Sequence, residues 1–343
     1  MYCRFNDACC IDNKLYASAC NMNGLFSIDI KTHRVDYIAS FPQDPLLCFD
    51  LHSRVISVGD TLIFIPLNGT GISVVSLPSY TFTFIASEVK YVNAIIYKDF
   101  IYLIPYKLSD GVWKYLIEDK ILVKTDIDLL TQNLSLDNDI TTDWYGSLIV
   151  DDYLYIVISG TGNIIKVNLT VGGSKWICFE GVQFANIAYL GEWFYITHNQ
   201  YPYIYKTKMK KNSLIKIEIP EEKRTRSIYR VVEYNHYIIC IPCFSDTIYR
   251  YDTNSNNFQI LHSIQNNGRI DNCQSKYAGI VMIDGKLVLL PKGDSRMVEL
   301  DKESVALYEL CFNNVLKTDD KQDGEILLFE KKSFGLADYI QIF

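Results

Sequence analysis

The amino-acid sequence predicts an all-β fold made of seven four-stranded antiparallel units. Its composition points this way first, because 25 of the 343 residues are Tyr and 17 are Phe, and aromatic side chains favour a pleated, half-buried surface. The second observation is a pair of apolar runs that recurs along the chain. The third is the short turn, rich in Asn, Asp and Gly, that joins the two runs each time. No helical period competes with this pattern.

Each repeat is anchored by its second apolar run, which reads LIFIP, IYLIP or LYIVI in different copies. These runs begin at Leu15, Leu62, Ile101, Leu154, Phe194, Ile238 and Leu287. Their mean interval of about 45 residues is a blade length typical of β-propellers. Four of the runs end in proline, at Pro66, Pro105, Pro242 and Pro291. Because proline cannot donate a hydrogen bond to a neighbouring strand, it marks a strand end.

The turns before the anchors support the same register. They are Asp12-Asn13, Gly59-Asp60, Lys98-Asp99, Asp151-Asp152, Gly191-Glu192, Asn235-His236 and Asp284-Gly285. Most of these pairs tolerate the positive φ that a tight hairpin requires. A third and a fourth strand-like run follow each anchor, so we expect one seven-bladed propeller domain over residues 1–343. Residues 311–343 carry two more strand-like pieces, which would complete a blade, cap the ring or begin an eighth unit.

With these repeats the chain resembles the broad superfamily of seven-bladed propellers that includes kelch and YVTN-type repeats. The resemblance covers nearly the whole chain and implies the fold. The Gly-Gly pair of kelch repeats, the Trp-Asp and Gly-His marks of WD40 repeats and the Asp box of sialidases are absent from the sequence. The resemblance therefore implies no catalytic residues.

Composition also argues against several classes of protein. No apolar run reaches the roughly 18 residues of a membrane-spanning helix, and the first residues do not read as a secretory signal. A net charge of −7 and an isoelectric point near 5.3 disfavour a nucleic-acid partner. The ten cysteines are spread over a long chain, which favours reduced, buried thiols. We expect a cytoplasmic protein with no membrane partner, cofactor or metal.

The first strand of each unit is expected to line a central channel, and two of its positions carry a repeated chemistry. Ten residues before the anchors, side chains are mostly aromatic: Phe5, His52, Tyr91, Trp144, Phe184, Ile228 and Tyr277. Eight residues before the anchors, none is large and apolar: Asp7, Arg54, Asn93, Gly146, Asn186, Arg230 and Gly279. Strand alternation predicts that the two positions face the same side.

Aromatic rings beside amide and guanidinium groups are typical of carbohydrate sites, since rings stack on sugar faces and polar groups bind hydroxyls. The sequence therefore predicts a non-catalytic propeller that binds a saccharide, another polar or anionic ligand, or a protein at its loop-rich face. Arg54 and Arg230 are expected to meet at the channel mouth and share an anion. The full set of candidate ligand-binding residues is Asp7, Arg54, Tyr91, Asn93, Trp144, Asn186, Arg230 and Tyr277.

Two other interpretations stay open. In the first, the chain is a carbohydrate-active enzyme of lyase or epimerase type, with His52 and His198 as acid and base or as metal ligands and the two arginines holding a carboxylate. In the second, both sets of residues are structural. The aromatic rings then pack blade against blade, and Arg54 pairs with Asp7.

Three further motifs have weaker functional interpretations. Cys240 and Cys243 form a C-x-x-C pair, but residues three apart in a strand face opposite sides, so we expect packing rather than redox chemistry. The basic run at 221–230, together with Lys292 and Arg296, predicts a cationic patch on the loop-rich face. The acidic stretch at 137–143 matches no compact calcium-binding loop.

Overall fold

The computed structural model of the protein describes residues 4–45, 48–127, 129, 140–198, 200–210, 213–220, 228–242, 247–263, 277–292, 296–301, 304–313, 315–317 and 327–329. Within these ranges only the backbone is described at 143–145, 229, 263, 313, 315–317 and 327–329.

The fold is all-β, a seven-bladed β-propeller with four-stranded antiparallel blades, as the sequence predicts. Blades 1 and 2 comprise β1 (Phe5–Ile11), β2 (Lys14–Ala19), β3 (Leu25–Asp29), β4 (Arg34–Ala39), β5 (His52–Val58), β6 (Thr61–Pro66), β7 (Gly71–Ser76) and β8 (Thr81–Ala86). Blades 3 and 4 comprise β9 (Tyr91–Tyr97), β10 (Phe100–Pro105), β11 (Trp113–Leu116), β12 (Ile121–Lys124), β13 (Thr142–Val150), β14 (Tyr153–Ile158), β15 (Asn163–Asn168) and β16 (Ser174–Cys178). A 3₁₀ turn at Leu108–Asp110 lies between β10 and β11.

Blades 5 to 7 continue the same order along the chain. They comprise β17 (Phe184–Leu190), β18 (Trp193–His198), β19 (Tyr203–Thr207), β20 (Ile215–Glu218), β21 (Ile228–Tyr234), β22 (Tyr237–Pro242), β23 (Thr247–Asp252), β24 (Asn257–Ser263), β25 (Tyr277–Ile283), β26 (Lys286–Pro291), β27 (Arg296–Asp301) and β28 (Ser304–Glu309). Each blade is therefore formed by four consecutive strands.

The second strand of every blade is buried on both faces. In each of these seven strands the last five residues are buried, which explains why the anchors read as continuous apolar runs rather than as an alternation. The preceding turns have positive φ at their first residue: Asp12, Gly59, Lys98, Asp151, Gly191, Asn235 and Asp284. Both results confirm the predicted repeat register.

The chain packs as two compact units. The first is Met1–Glu88 with Tyr277–Phe343 and contains blades 7, 1 and 2, and the second is Val89–Lys276 and contains blades 3 to 6. In the first unit, β1 contacts both β25 and β5. In the second, β9, β13, β17 and β21 contact one another in chain order. The first strands are thus the elements through which neighbouring blades meet within each unit.

Blade 7 packs directly on blade 1. Their shared core includes Phe5 and Phe26 from blade 1 and Leu290 and Met297 from blade 7, all fully buried. Phe5 and Phe26 contact edge to face, with ring centroids 5.7 Å apart, a favoured geometry for aromatic pairs. An apolar core therefore joins the first and the last blade of the chain.

The segment after blade 7 extends blade 1. Its strand β29 (Cys311–Asn313) pairs in parallel with β4, with Phe312 opposite Val35, so blade 1 becomes a five-stranded sheet. The half-buried Phe312 also packs against the core shared by blades 1 and 7. Two further short strands, β30 (Val315–Lys317) and β31 (Leu327–Phe329), pair with each other. β29 thus covers the outer edge of blade 1, and the role of residues 311–343 as a whole stays a prediction.

This arrangement predicts a measurable contribution of β29 to stability. Replacing Phe312 with Ala removes a half-buried ring from the core between blades 1 and 7, and we expect the free energy of unfolding to fall by about 1.5–2 kcal/mol, roughly half the cost of a fully buried Phe. Denaturant titration measures the change. The neighbouring exposed Cys311→Ser serves as the control and should change it by less than about 0.5 kcal/mol. Equal effects of the two substitutions would show that the packing of β29 on blade 1 does not stabilise the protein.

Candidate functional site

The aromatic and polar positions both lie on the first strands, but a β-bulge between them changes the side that each residue faces. Phe5 pairs with Ala19 and Asp7 pairs with Ser18, so three residues of β1 oppose two of β2. Blades 2, 3 and 6 show the same one-residue shift at the corresponding positions. Because neighbouring residues of the partner strand face opposite sides, the prediction that the aromatic and polar positions share a side is wrong.

The aromatic position is part of the core. Phe5, Tyr91, Phe184 and Tyr277 are each fully buried, and Phe184 belongs to an apolar cluster formed by blades 4 and 5. The side chain of Trp144 lies outside the described residues; its strand begins at Thr142. Four of the rings that the sugar-binding interpretation needs on the surface are therefore buried, and two of them, Phe5 and Phe184, pack between blades as the structural interpretation states.

At three of the seven polar positions the side chain links its first strand to the next first strand of the same unit. Asp7 Oδ2 accepts a hydrogen bond from the backbone N–H of Val55 at 3.1 Å, and Asn186 Oδ1 accepts one from Val231 N–H at 2.9 Å. Asn93 donates from Nδ2 to both the carbonyl and the hydroxyl of Ser147, at 3.2 and 2.8 Å.

These three partners occupy the same repeat position, seven residues before the anchor. These three polar side chains thus provide hydrogen-bond partners for backbone groups of the neighbouring blade. Gly279 shows the same contact without a side chain: a Cβ placed there would lie 3.3 Å from the backbone nitrogen of Ala8. A glycine at this position lets the backbones of blades 7 and 1 come close together.

Arg54 is held by an ion pair inside its own unit. Its Nη1 lies 3.3 Å from Oδ1 of Asp7, and Asp7 is only 3% exposed. Arg54 belongs to the first unit and Arg230, which is half-buried, to the second. The expected pairing of Arg54 with Asp7 is therefore observed. The shared anion of Arg54 and Arg230 remains a prediction.

His52 is a core residue. Its ring lies 4.3 Å from the Phe41 ring and 5.4 Å from the Phe64 ring, and its Nδ1 is 2.9 Å from the Ser18 hydroxyl. Burial lowers the pKa of His52 to about 3, because a charged imidazolium is poorly solvated there. His52 is therefore neutral near pH 7 and 2% exposed, which does not suit the surface acid–base role considered above.

His198 organises a turn. Its Nδ1 accepts hydrogen bonds from the backbone N–H groups of Gln200 and Tyr201, at 2.9 and 3.1 Å, and its ring lies 4.9 Å from the Tyr203 ring. Burial, and to a smaller extent Lys216, lowers the pKa of His198. An acceptor Nδ1 and a lowered pKa both favour the neutral ring, so His198 acts as a turn cap.

At the loop-rich end of the first unit, Lys292 is also part of a structural network. Its Nζ lies 2.8 Å from Oδ1 of Asn6 and 3.7 Å from Oδ1 of Asp50. Asn6, the extra residue of the bulge, donates to Asp50 at 2.8 Å and to the carbonyl of His52 at 3.1 Å. These bonds tie together the loops of blades 7, 1 and 2. Most of the basic run, residues 221–227, lies outside the described residues.

The remaining motifs can be placed in part. The described cysteines 9, 10, 20, 48, 178, 240 and 311 all carry free thiols, and burial raises the pKa of Cys240 to about 12, which makes that thiol unreactive. Cys243 and the acidic residues 137–139 lie outside the described ranges. Among the residues that the structure does describe, no cluster of His, Cys, Asp or Glu could hold a metal ion, and no helix is long and apolar enough to cross a membrane.

A surface feature that the sequence analysis missed recurs in blades 3 to 6. On each of these blades a cation from the third strand lies over an aromatic ring of the second strand. The pairs, with distances to the ring centroid, are Lys114 over Tyr102 at 5.0 Å, Lys166 over Tyr153 at 3.7 Å, Lys206 over Trp193 at 4.6 Å and Arg250 over Tyr237 at 4.3 Å. We call these four pairs the cation–aromatic columns. Their signal is visible in the third runs VWKYL, IIKVN, YIYKT and IYRYD, each of which carries one Lys or Arg.

One column borders a groove of about 360 Å³ between blades 5 and 6 of the second unit. It is lined by Leu190, Gly191, Trp193, Tyr195, Lys206, His236, Thr253 and Asn254. The lining comes from hairpin turns and strand edges, at the end of the blades opposite the long loops. This groove, which sequence reasoning did not find, is the candidate functional site.

The ion pair between Arg54 and Asp7 can be tested by a double-mutant cycle. Arg54→Met keeps much of the stem but leaves a buried carboxylate without its cation, and we expect the free energy of unfolding to fall by about 1.5–3 kcal/mol. In an Asp7→Asn background the same substitution should cost less than half as much, since a neutral amide needs no cation. Stability unaffected by Arg54→Met, with loss of stabilisation by added acidic sugars, would instead support the ligand-binding interpretation.

Burial of neutral His52 predicts an acid-sensitive stability. Its pKa is about 3 in the folded protein and about 6.5 when unfolded, so the unfolded state binds more protons below pH 6.5. Stability is then lost as pH falls from 6.5 towards 3, and His52 alone accounts for about 2 kcal/mol between pH 7.5 and pH 5.

The comparison uses denaturant titrations at both pH values. When the pH is lowered from 7.5 to 5, the free energy of unfolding of His52→Gln should fall by about 2 kcal/mol less than that of the wild type. This difference does not depend on how stable the variant is at pH 7.5. His236→Asn, at an exposed turn position with positive φ, should keep the wild-type pH dependence. If His52→Gln also keeps the wild-type pH dependence of stability, then His52 is not buried as a neutral ring.

Comparison with known proteins extends these observations at the level of fold. No family model and no curated protein sequence matches the chain. The chain is similar to the computationally designed Ika8 protein, with a TM-score of 0.58, 9% identity and coverage of 90% of this chain and 97% of that one. A KlHsv2 variant with loop 6CD replaced by a Gly-Ser linker has a TM-score of 0.57 and 11% identity, with coverage of 90% of this chain and 98% of that one. A chain of a mitotic checkpoint complex has a TM-score of 0.58 and 8% identity, with coverage of 90% of this chain and 87% of that one. These likenesses show that the protein has a propeller-type fold.

Proposed function

We propose that the chain is a non-catalytic binding propeller whose partner is a protein, and that the partner docks on blades 3 to 6. The observation that carries the proposal is the row of cation–aromatic columns. Three of the rings, Tyr153, Trp193 and Tyr237, are half-buried, as is Arg250, and Tyr, Trp and Arg are the residue types that contribute most to protein interfaces. A cation held over a ring presents charge and apolar area together, at little cost in side-chain entropy.

The residues first expected to bind a ligand support this choice of surface. Asp7, Asn93 and Asn186 bond to the backbone of neighbouring first strands, and such contacts make the array of blades rigid. A stiff scaffold favours binding because little freedom is lost when a partner docks. Binding of a saccharide at the loop-rich face, or lyase or epimerase chemistry there, is not favoured by any contact of the described residues.

Two further elements belong to the proposal. The seven described cysteines are free thiols, which supports a reducing, cytoplasmic location. The similar chain in the mitotic checkpoint complex comes from a multiprotein assembly, and the repeats resemble kelch and YVTN-type propellers. Both are analogies of fold and add only modest support.

The experiment compares proteins that co-purify with tagged variants from the native cell. The column variant carries Lys114→Gln, Lys166→Gln, Lys206→Gln and Arg250→Gln. We expect at least one co-purifying protein to fall five-fold or more relative to the wild type, because charge and ring contacts are both weakened.

The matched control removes the same number of positive charges at exposed positions away from the third and fourth strands of blades 3 to 6, through Lys14→Gln, Lys31→Gln, Arg34→Gln and Lys90→Gln. It should retain the partner, and thermal melts should show both variants folded. An unchanged set of co-purifying proteins in the column variant, or an equal loss in the control, contradicts the proposal.

A further inference from the structure

The groove between blades 5 and 6 has an apolar floor and a cationic side. Trp193 and Tyr195 come from the second strand of blade 5, and Lys206 stands opposite Tyr195 on the third. The Lys206 ammonium lies 4.6 Å from the Trp193 ring centroid and 5.8 Å from that of Tyr195. Lys208 also lies over Trp193, at 4.8 Å. Two ammonium groups therefore share one indole.

The acidic groups bordering the groove are already engaged. Glu192 pairs with Lys208 at 2.7 Å. Asp252 accepts hydrogen bonds from the backbone N–H groups of Asn254 and Ser255, at 2.9 and 3.4 Å. Glu233 accepts the backbone N–H of His236 at 3.3 Å. These three carboxylates thus each have a donor of their own within the described part of the chain.

Lys206 is different, because its contacts within the described part of the chain are to rings and to no carboxylate. Partial burial and the nearby Lys208 lower its pKa, as expected for an ammonium that is partly desolvated beside a like charge. A carboxylate bound beside Lys206 would compensate for its lost solvation and would offset the repulsion from Lys208.

The groove also limits the size and character of its ligand. About 360 Å³ accommodates a few side chains. Leu190 and the face of Trp193 offer apolar area beside the charge, whereas Thr253 and Asn254 offer polar groups on the other wall. A ligand with a carboxylate next to an apolar side chain fits this lining better than a bare anion.

We propose that this groove binds an acidic peptide segment of the partner protein, with a carboxylate at Lys206 and an apolar side chain on Trp193. The inference rests on the proposed function and names the chemistry of the partner. The net charge of the protein is −7, so an acidic segment is repelled elsewhere and recognised at this local cationic site. Its binding therefore weakens as salt screens the attraction.

The test measures fluorescence anisotropy of a labelled peptide, Glu-Glu-Leu-Glu-Glu, at low salt. We expect binding by the wild type and at least a five-fold weaker Kd for Lys206→Met, which keeps the stem and removes the charge. Lys166→Met is the matched control, since Lys166 lies over Tyr153 in the same way but does not line the groove. The peptide Gln-Gln-Leu-Gln-Gln should not bind.

Three results would overturn the inference: no binding of the acidic peptide, equal weakening by Lys166→Met, or competition by free glutamate as effective as that of the peptide at equal carboxylate concentration. The last would mean that the groove takes small anions only. If the peptide fails while the column variant still loses its co-purifying protein, the proposed function stands and this groove is not the site.

Discussion

The fold depends on the need of every blade to cover both of its faces. A four-stranded sheet whose second strand is buried on both sides has no stable existence alone, because a large apolar area would stay in water. Blade 1 meets this need with Phe5 and Phe26 against blade 7, and blade 4 does so with residues such as Val157 against Phe184 of blade 5. The hydrogen bonds of Asp7, Asn93 and Asn186 then fix the register between sheets whose association is driven by apolar burial.

The repeat could be predicted from the sequence because its signals are local. A turn such as Asp284-Gly285 needs positive φ, and Pro66 or Pro291 ends a strand, wherever the remainder of the chain lies. The bulge in the first strands could not be predicted in this way. The extra residue, Asn6 in blade 1, has a counterpart in blades 2, 3, 5, 6 and 7, so that these repeats compared with one another show no insertion. Only the pairing of Phe5 and Asp7 with β2 reveals it, and it separates the two rows of residues from which a sugar site was predicted.

The candidate site escaped prediction for a different reason. Attention to long loops favoured the loop-rich face, whereas the groove is bordered by short turns and strand edges. The cation–aromatic columns follow a periodic signal, but it is confined to the second unit. The positions equivalent to Lys114, Lys166, Lys206 and Arg250 are Ser27, Val74 and Glu299 in blades 1, 2 and 7. A comparison that keeps only the residues common to all seven repeats therefore misses this signal, although the difference between the units distinguishes the surface that we propose for binding.

The packing of blade 7 on blade 1 also sets an order of events during synthesis. Asn6 and Lys292, which bond to each other, are 286 residues apart in sequence. At about 5–20 residues per second, roughly 15 to 60 s pass between their appearances on the ribosome. Throughout that interval the nascent first blade lacks the neighbour that covers Phe5, and contacts of such large sequence separation form slowly. A chaperone that shields this one face until translation ends would therefore have its greatest effect on the yield of folded protein.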